Sequence, residues 1–472
     1  MKRRDFVQGL LGATAVSVAT PASVLAQAAD KKAGSPGPEA KPDEFAYALG
    51  PITGPLAHGL MPPDTRCPLP SSRRFSGIRY TGRSRDYHDT IGADTWYPSW
   101  AADGLLYTPF ADGSVKNAAG EKVGSRCYWD AGWWPPELWL RKLGRQFYQG
   151  RLTSELPKQT STGNAVLSGD DPFALTATPL ASSNYESPRY EGYYPCANLF
   201  HQGIWYYGRY YCHRWLNDHN IPVTYELGGF GGFRVSSDHG KNWRETPCDD
   251  QHPLFPETGR CSGGAPIKFG TPHFVDFGRD LEHSPDGYAY LVGHGTRDPE
   301  GTCNWSSGDA VFLARVRPSP ETINRREAWE FYGGKDGGGR ALWSNDFATV
   351  APLIEWPGHA GCVNITYHPG LRKYLGFLCS GWQDGDGGTY DTWVVESDEL
   401  TGPWSSVAYL KGMGDQPYFT CAPSKFLGPG NKIVLFYSAN WRTERPGVSS
   451  WKDPSGPPGR YSLCVAEFEL LE

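Results

Sequence analysis

Residues 271–297 read TPHFVDFGRDLEHSPDGYAYLVGHGTR, and this stretch decides the fold of the chain. Two short apolar runs flank Ser284–Gly287, whose sequence Ser-Pro-Asp-Gly predicts a tight turn because Pro presets φ and Gly tolerates a positive φ. His273 stands before the first run, and His294 ends the second. In an antiparallel hairpin these two ends lie side by side, so the pattern predicts that both imidazoles meet at one mouth of the fold.

Short strands of this kind recur in groups of four, without helices between the strands. The groups span residues 94–178, 196–246, 273–332, 362–409 and 420–468. This period predicts an all-β chain, a β-propeller of five blades. Six or seven blades stay open because long inserts separate some strands, and a β-sandwich plus a barrel is the structural alternative. The insert containing Asp130–Leu140 predicts a short helix. The fifth group lacks one strand, which Phe45–Leu49 is expected to supply, closing the ring and removing two sheet edges.

The N-terminus has the pattern of an export signal. Arg3-Arg4 follow Met1-Lys2, and a run of small apolar residues leads to Ala26-Gln27-Ala28. The twin arginines and the A-x-A site predict a Tat-type signal peptide over residues 1–28, with a Sec signal or a lipid-free membrane anchor as the alternatives. Residues 29–43 predict a disordered spacer, and 44–472 a single propeller domain. We therefore expect a periplasmic or secreted monomer that makes no membrane contact after signal cleavage.

Composition narrows the choice of partner. The chain has 45 Lys and Arg against 51 Asp and Glu, and its basic residues do not cluster, which disfavours nucleic acid and anionic membranes. Its 18 Trp and 26 Tyr suit both a core and stacking on sugar rings. Eleven cysteines without a CxxC pair disfavour zinc. Cys248 and Cys261 are a disulfide candidate. No cofactor is expected, although the acidic, glycine-rich Asp384–Gly388 is either a solvated loop or a structural calcium site.

Several motifs resemble those of known propeller families. Ser236–Trp243 fits the Asp-box pattern S-x-D-x-G-x-x-W of sialidase-like propellers, a turn that supports folding and not catalysis. Glu396–Asp398 followed by Gly402–Trp404 resembles a blade turn of five-bladed glycosidases of the arabinanase and xylosidase type. Trp305–Asp309, which precedes a predicted strand, resembles a motif of secreted propellers near the arabinan-degrading DUF4185 group. These resemblances imply a propeller enzyme that acts on carbohydrate.

The channel mouth offers carboxylates for glycoside hydrolysis. Cleavage of a glycosidic bond needs one carboxylic acid to protonate the leaving oxygen and one carboxylate as base or nucleophile. Asp94, Glu191 and Asp415 lie at predicted starts of innermost strands, so Asp94 paired with Glu191 or Asp415 is the predicted catalytic pair. The predicted substrate-binding residues are the neighbouring aromatic and basic side chains Trp96, Tyr97, Tyr193, Tyr194, Arg297, His359 and Tyr418.

Two other functions stay open. Some seven-bladed uronate lyases also place two histidines about a hairpin apart, which is similar to His273 and His294 here. That resemblance implies β-elimination, with one of these histidines and Tyr367 as base and acid and with Arg297 neutralising the uronate carboxylate. A sugar-binding propeller without catalysis is the third possibility. No nucleophile elbow, P-loop or dinucleotide fingerprint occurs, and the titratable residues at the strand starts favour hydrolysis first.

Overall fold

The computed structural model describes residues 60–61, 63, 65–87, 90–117, 119–120, 122–123, 162–180, 192–216, 222–249, 251–259, 264–298, 303–381, 390–410, 418–441 and 460–472. All of them belong to one compact unit, Phe45–Glu472. They form five antiparallel sheets, and these sheets are the five blades of a β-propeller. In the described part of the chain, no helix is long and apolar enough to cross a membrane.

The first half of the chain holds blades 1 and 2. Its strands are β1 (Leu60–Met61), β2 (Gly77–Asp86), β3 (Ile91–Asp94), β4 (Ser99–Trp100), β5 (Leu106–Lys116), β6 (Lys122–Val123), β7 (Thr162–Ser168), β8 (Thr176–Pro179), β9 (Gly192–His201), β10 (Ile204–Leu216) and β11 (Pro222–Ser236). Blade 1 has the order β3-β5-β7-β8, with β4 and β6 also paired to β5, and blade 2 has the order β9-β10-β11. An antiparallel bridge from Val235 to Arg244 adds a fourth, one-residue strand to blade 2.

The second half holds blades 3, 4 and 5. Its strands are β12 (Gly270–Phe274), β13 (Ala289–Gly295), β14 (Ala310–Val316), β15 (Glu330–Lys335), β16 (Ala341–Ser344), β17 (Pro352–Glu355), β18 (Asn364–His368), β19 (Lys373–Gly381), β20 (Tyr390–Ser397), β21 (Ser405–Leu410), β22 (Tyr418–Cys421), β23 (Lys432–Trp441) and β24 (Arg460–Leu471). Blade 3 is β12-β13-β14-β15-β16 with β17 on β14, and blade 4 is β18-β19-β20-β21. Single-turn 3-10 helices occupy Arg279–Leu281, Arg326–Ala328, Phe347–Thr349 and Ser424–Phe426.

The hairpin in residues 271–297 is the innermost strand pair of blade 3, as predicted. Ser284 Oγ donates to Tyr288 O at 2.8 Å, and Gly287 has a φ of 73°, so the Ser-Pro-Asp-Gly turn forms as its residue types require. All seven residues of β13 are buried, and the strand pairs with β12 along one edge and with β14 along the other. The five predicted strand groups correspond to the five blades.

The ring closes through a different segment from the one predicted. Blade 5 has the order β22-β23-β24-β2-β1, and β2 pairs with β24 from Gly77 opposite Leu471 to Asp86 opposite Cys464. The missing strand is therefore Gly77–Asp86, and its assignment to Phe45–Leu49, which lies outside the described residues, was wrong. Ile78 is fully buried against this sheet, whereas the next residues are largely exposed, which gives the segment only a weak strand pattern.

The innermost strands β3, β9, β12, β18 and β22 surround the axis and run in one direction, as in other propellers. A parallel bridge between Asp276 and Thr366 shows this directly for blades 3 and 4. We call the end where these strands begin the upper mouth and the end where they finish the lower mouth. Tyr418 begins β22 and lies toward the upper mouth. Asp94 is the last residue of β3, but the inner edge of blade 1 continues along β5 as β4, and the contact with Tyr418 places Asp94 at the same end. Asp276 and Tyr367 lie toward the lower mouth.

Candidate active site at the upper mouth

The centre of the ring holds a small pocket to which all five blades contribute. Its volume is about 30 Å³, which is room for one or two water molecules and not for a sugar ring. The lining residues are Tyr97, Pro98, Asn198, His273, Phe274, Asp276, Asn364, Ile365, Thr366, Cys421, Ala422 and Pro423. Within the part of the chain that the structure describes, this pocket is therefore too small to hold a sugar ring.

Among the residues that the structure describes, Asp94 provides a carboxylate at the upper mouth. Its side chain is nearly buried, and Tyr418 Oη, which belongs to blade 5, donates to Asp94 Oδ2 at 2.5 Å. The next residue, Thr95, has a left-handed φ of 61°, and its N–H donates to Ser438 Oγ at 2.9 Å. Blade 1 thus supplies the carboxylate, and blade 5 holds it in place.

Aromatic rings pack around Tyr418, the residue that donates to this carboxylate. The Trp305 ring lies 5.3 Å from that of Tyr418 and 5.6 Å from that of Phe419, measured between centroids. Tyr97 Oη is buried and has no hydrogen-bond partner among the described residues. Burial raises the pKa of Tyr97 well above its ordinary value, and the nearby Tyr210 adds to this rise, so the phenol stays neutral. Tyr97 therefore offers a neutral O–H donor beside Asp94.

His273 lies just below this site and packs on Tyr97, with ring centroids 3.9 Å apart. It is 2% exposed, and neither ring nitrogen has a partner among the residues that the structure describes. Burial lowers the pKa of His273 to about 3, and His294 contributes to this shift. The imidazole is therefore neutral at ordinary pH, which makes it a weak base.

His294 is engaged within its own blade. Its Nε2–H donates to Asn304 O at 2.8 Å, so its Nδ1 accepts from Thr271 Oγ1 at 3.2 Å. Burial lowers the pKa of His294 to about 4. Both nitrogens are thus used to hold strand β12 and the segment after β13, which is a structural role.

Tyr367 lies at the other end of the channel. It is the fourth residue of β18, and its ring packs against those of Tyr374, His283 and Phe277 at 5.1, 5.9 and 6.4 Å between centroids. These contacts place it at the lower mouth, away from Asp94. The structure therefore does not bring Tyr367 to the upper mouth with the residues predicted there.

Four of the predicted aromatic substrate contacts are buried, namely Trp96, Tyr97, Tyr194 and Tyr418, and the rings of Trp96 and Tyr194 stack within their own blades. Trp96 is 1% exposed, its Nε1 donates to Ala93 O at 2.8 Å, and its ring stacks on Phe110. Tyr194 is buried in blade 2 and stacks on Tyr210.

Three further predicted contacts are partly exposed but already paired. The Arg209 guanidinium lies over the Tyr193 ring at 4.1 Å. Arg297 forms an ion pair of 2.6 Å with Glu355 on β17. His359 stacks on Trp356 at 4.9 Å and contacts Pro357 O through Nδ1 at 3.0 Å. Of the predicted substrate-binding residues, Tyr97 and Tyr418 are the ones that the described contacts join to Asp94.

Several predicted features lie outside the described residues. These are Glu191, Asp415, Cys261, Asp130–Leu140 and Asp384–Gly388. Among the residues that are described, no cluster of three His, Cys, Asp or Glu side chains is arranged to hold a metal ion.

Sequence reasoning missed two polar residues that join the blades around the channel. Asn198 Nδ2 donates to Tyr97 O and Tyr107 O, and its Oδ1 accepts from Trp205 Nε1. Asp276 accepts from the N–H of Ser424 at 2.8 Å and from Ser424 Oγ at 2.6 Å. Burial raises the pKa of Asp276. The sequence signal for both is slight, namely a single polar residue directly after apolar positions of an innermost strand.

No family model matches this chain, and no curated protein matches it. Solved structures do resemble it, at low identity. A putative hydrolase from Bacteroides ovatus has 13% identity, a TM-score of 0.43 and coverage of 85% of this chain and 95% of its own. An α-L-arabinofuranosidase from Podospora anserina has 11% identity and a TM-score of 0.36, covering 85% and 98%. A family 117 glycoside hydrolase from Zobellia galactanivorans has 12% identity and a TM-score of 0.39, covering 84% and 90%.

Proposed function

We propose that this chain is a glycoside hydrolase that cleaves a poly- or oligosaccharide at the upper mouth. The observation that supports this most directly is the placement of Asp94. It is a nearly buried carboxylate at the end of β3, close to Tyr97 and held by Tyr418, whose ring packs against Trp305. Aromatic rings suit the apolar faces of sugars, and a fixed carboxylate is the reacting group that glycoside cleavage requires.

The hydrogen bond from Tyr418 indicates which of the two roles Asp94 has. Glycoside cleavage needs one protonated and one ionised carboxyl group. An O–H donor stabilises the ionised form of a carboxylate, so Asp94 is assigned as the base or nucleophile. The acid is then assigned to Glu191 or Asp415, which precede β9 and β22 in the sequence.

Elimination receives less support from the same geometry. His294 uses both nitrogens in structural hydrogen bonds, and Tyr367 packs at the lower mouth. His273 is a weak base because burial lowers its pKa to about 3. Hydrolysis is therefore the proposed reaction, and elimination is an alternative outcome of the test below.

The setting of the enzyme is also a proposal. The twin arginines Arg3-Arg4 and the A-x-A sequence at Ala26–Ala28 support export by the Tat route to the periplasm or medium. We propose that the enzyme acts there as a monomer on a carbohydrate substrate and requires no cofactor.

The test is to incubate the purified protein with neutral and uronate-containing polysaccharides and to measure new reducing ends and unsaturated uronate. We expect reducing ends without unsaturated product. Asp94→Asn should lower kcat/KM about 10²–10⁴-fold, the usual contribution of a general acid or base. Asp398→Asn is the matched control, because that carboxylate is 81% exposed and pairs with Lys373.

Other outcomes would contradict the proposal in distinct ways. Unsaturated product would establish a lyase. Retention on a polysaccharide column without any product would establish a sugar-binding protein. Full activity of Asp94→Asn would show that the reaction takes place elsewhere.

A further inference from the structure

Blades 1 and 5 are joined at the upper mouth by two hydrogen bonds on consecutive residues. Tyr418 Oη donates to Asp94 Oδ2 at 2.5 Å, and the N–H of Thr95 donates to Ser438 Oγ at 2.9 Å. The first bond holds the carboxylate itself, and the second holds the backbone immediately after it. The carboxylate of the first blade is therefore oriented by the last blade.

The backbone at this point is in an unfavourable conformation. Thr95 is β-branched and has a φ of 61°, in the left-handed region that such residues rarely adopt. Conformations of this kind persist when surrounding contacts determine them, and they concentrate at functional sites. Here the bond to Ser438 supplies such a contact, one residue after the carboxylate that bonds Tyr418.

The Tyr418 hydroxyl is held in one direction by its surroundings. Tyr418 is 4% exposed, and its ring packs against Trp305 at 5.3 Å and Phe419 at 5.1 Å between centroids. A short O–H···O⁻ bond to a carboxylate is stronger than a bond between neutral groups. With its ring packed on two sides and its hydroxyl on Asp94, Tyr418 serves the carboxylate and not the sugar.

We propose that Tyr418 is a positioning residue of the hydrolase, which orients the Asp94 carboxylate of blade 1 from blade 5. This inference rests on the proposed function and changes the role of Tyr418 from a substrate contact to a support of the reacting carboxylate. It also assigns Ser438 a lesser part, since Ser438 holds the backbone and not the carboxylate.

The experiment compares Tyr418→Phe with a matched control elsewhere in the molecule. Tyr290 Oη donates to Asp286 Oδ2 at 2.8 Å in the hairpin turn of blade 3, so Tyr290→Phe removes the same kind of bond far from the upper mouth. Loss of a hydrogen bond to a charged group corresponds to a fall of about 10- to 100-fold. We expect Tyr418→Phe to lower kcat by that factor while KM changes less than about twofold, and Tyr290→Phe to leave both constants unchanged.

A double-mutant cycle separates positioning from general stabilisation. In the Asp94→Asn background, Tyr418→Phe should cause no further fall in kcat, because the bond acts through the carboxylate. Ser438→Ala should lower kcat by about threefold, with KM unchanged, since it releases Thr95 but leaves Tyr418 in place. Thermal unfolding of each variant gives the fraction of folded protein, and each kcat is divided by that fraction.

Specific results would overturn this inference. A raised KM with unchanged kcat in Tyr418→Phe would restore the role of a substrate contact. Equal losses of kcat in Tyr418→Phe and Tyr290→Phe would show a purely structural effect, as would an additive loss in the double mutant. If Tyr418→Phe does not fold, an unchanged kcat in Ser438→Ala refutes the inference. Full activity of Asp94→Asn would instead refute the proposed function itself.

Discussion

Replacement of Asn198 by Ala is expected to destabilise the protein strongly, because this one side chain joins blades 1 and 2. Its Nδ2 donates to Tyr97 O at 2.6 Å and Tyr107 O at 2.7 Å, and its Oδ1 accepts from Trp205 Nε1 at 2.6 Å. The variant removes three hydrogen bonds to buried groups. Each such group costs about 1–3 kcal/mol, so the three together give about 3–9 kcal/mol.

We expect a loss toward the lower end of that range, about 4 kcal/mol, because water from the axial pocket that borders Asn198 can reach part of the vacated space. The assay is urea unfolding followed by tryptophan fluorescence. Asn345→Ala is the matched control, since exposed Asn345 also donates to two carbonyls, those of Glu327 and Trp329, and should lose about 1 kcal/mol or less. An equal loss in both variants would refute this account of how the first two blades are joined.

Two further predictions concern pH. Burial raises the pKa of Glu257 from 4.5 to about 8, so its contribution to stability is fully present below pH 4.5 and is lost as the pH rises through about 8. Glu257→Gln should unfold with a flatter pH dependence over that range, and equal curves would contradict the assignment. His273 has its pKa lowered from 6.5 to about 3, so the wild type loses stability as pH falls below 6.5. His273→Phe keeps the packing on Tyr97 and should be at least as stable at pH 7 and relatively more stable at pH 4 in thermal unfolding; marked destabilisation at pH 7 would reveal a partner for the imidazole.

The strands of the blades were predictable because their apolar residues and turn residues act locally. Ser284–Gly287 specifies a turn wherever the flanking strands lie, and the run of β13 is buried on both faces as its apolar composition requires. Ring closure was not predictable in the same way. Residues 77–86 read GIRYTGRSRD, and their place beside β24 depends on pairing with a strand almost the whole chain away.

The candidate site was predictable in part, for a similar reason. The strand pattern predicts Asp94 at the start of an innermost strand, whereas Asp94 is the last residue of β3, and its place near the upper mouth follows from the hydrogen bond with Tyr418. The partners of a polar side chain do not follow from that pattern. His294 turned out to bond Thr271 and Asn304, and Tyr367 to pack at the opposite mouth, because both outcomes depend on contacts between strands and loops.

The closure of blade 5 also sets the order in which the molecule can be built during synthesis. Ser76, just before β2, donates through Oγ to Leu471 O, 395 positions later in the chain. Strand β2 therefore cannot pair with β24 until β24 has left the ribosome. Blades 1 to 4 consist of hairpins between neighbouring segments, which form early, whereas pairing over long sequence separation is slow. Throughout that interval β2 and β23 each have an unpaired edge. The hydrogen bond from Tyr418 to Asp94 can form last, when the ring closes.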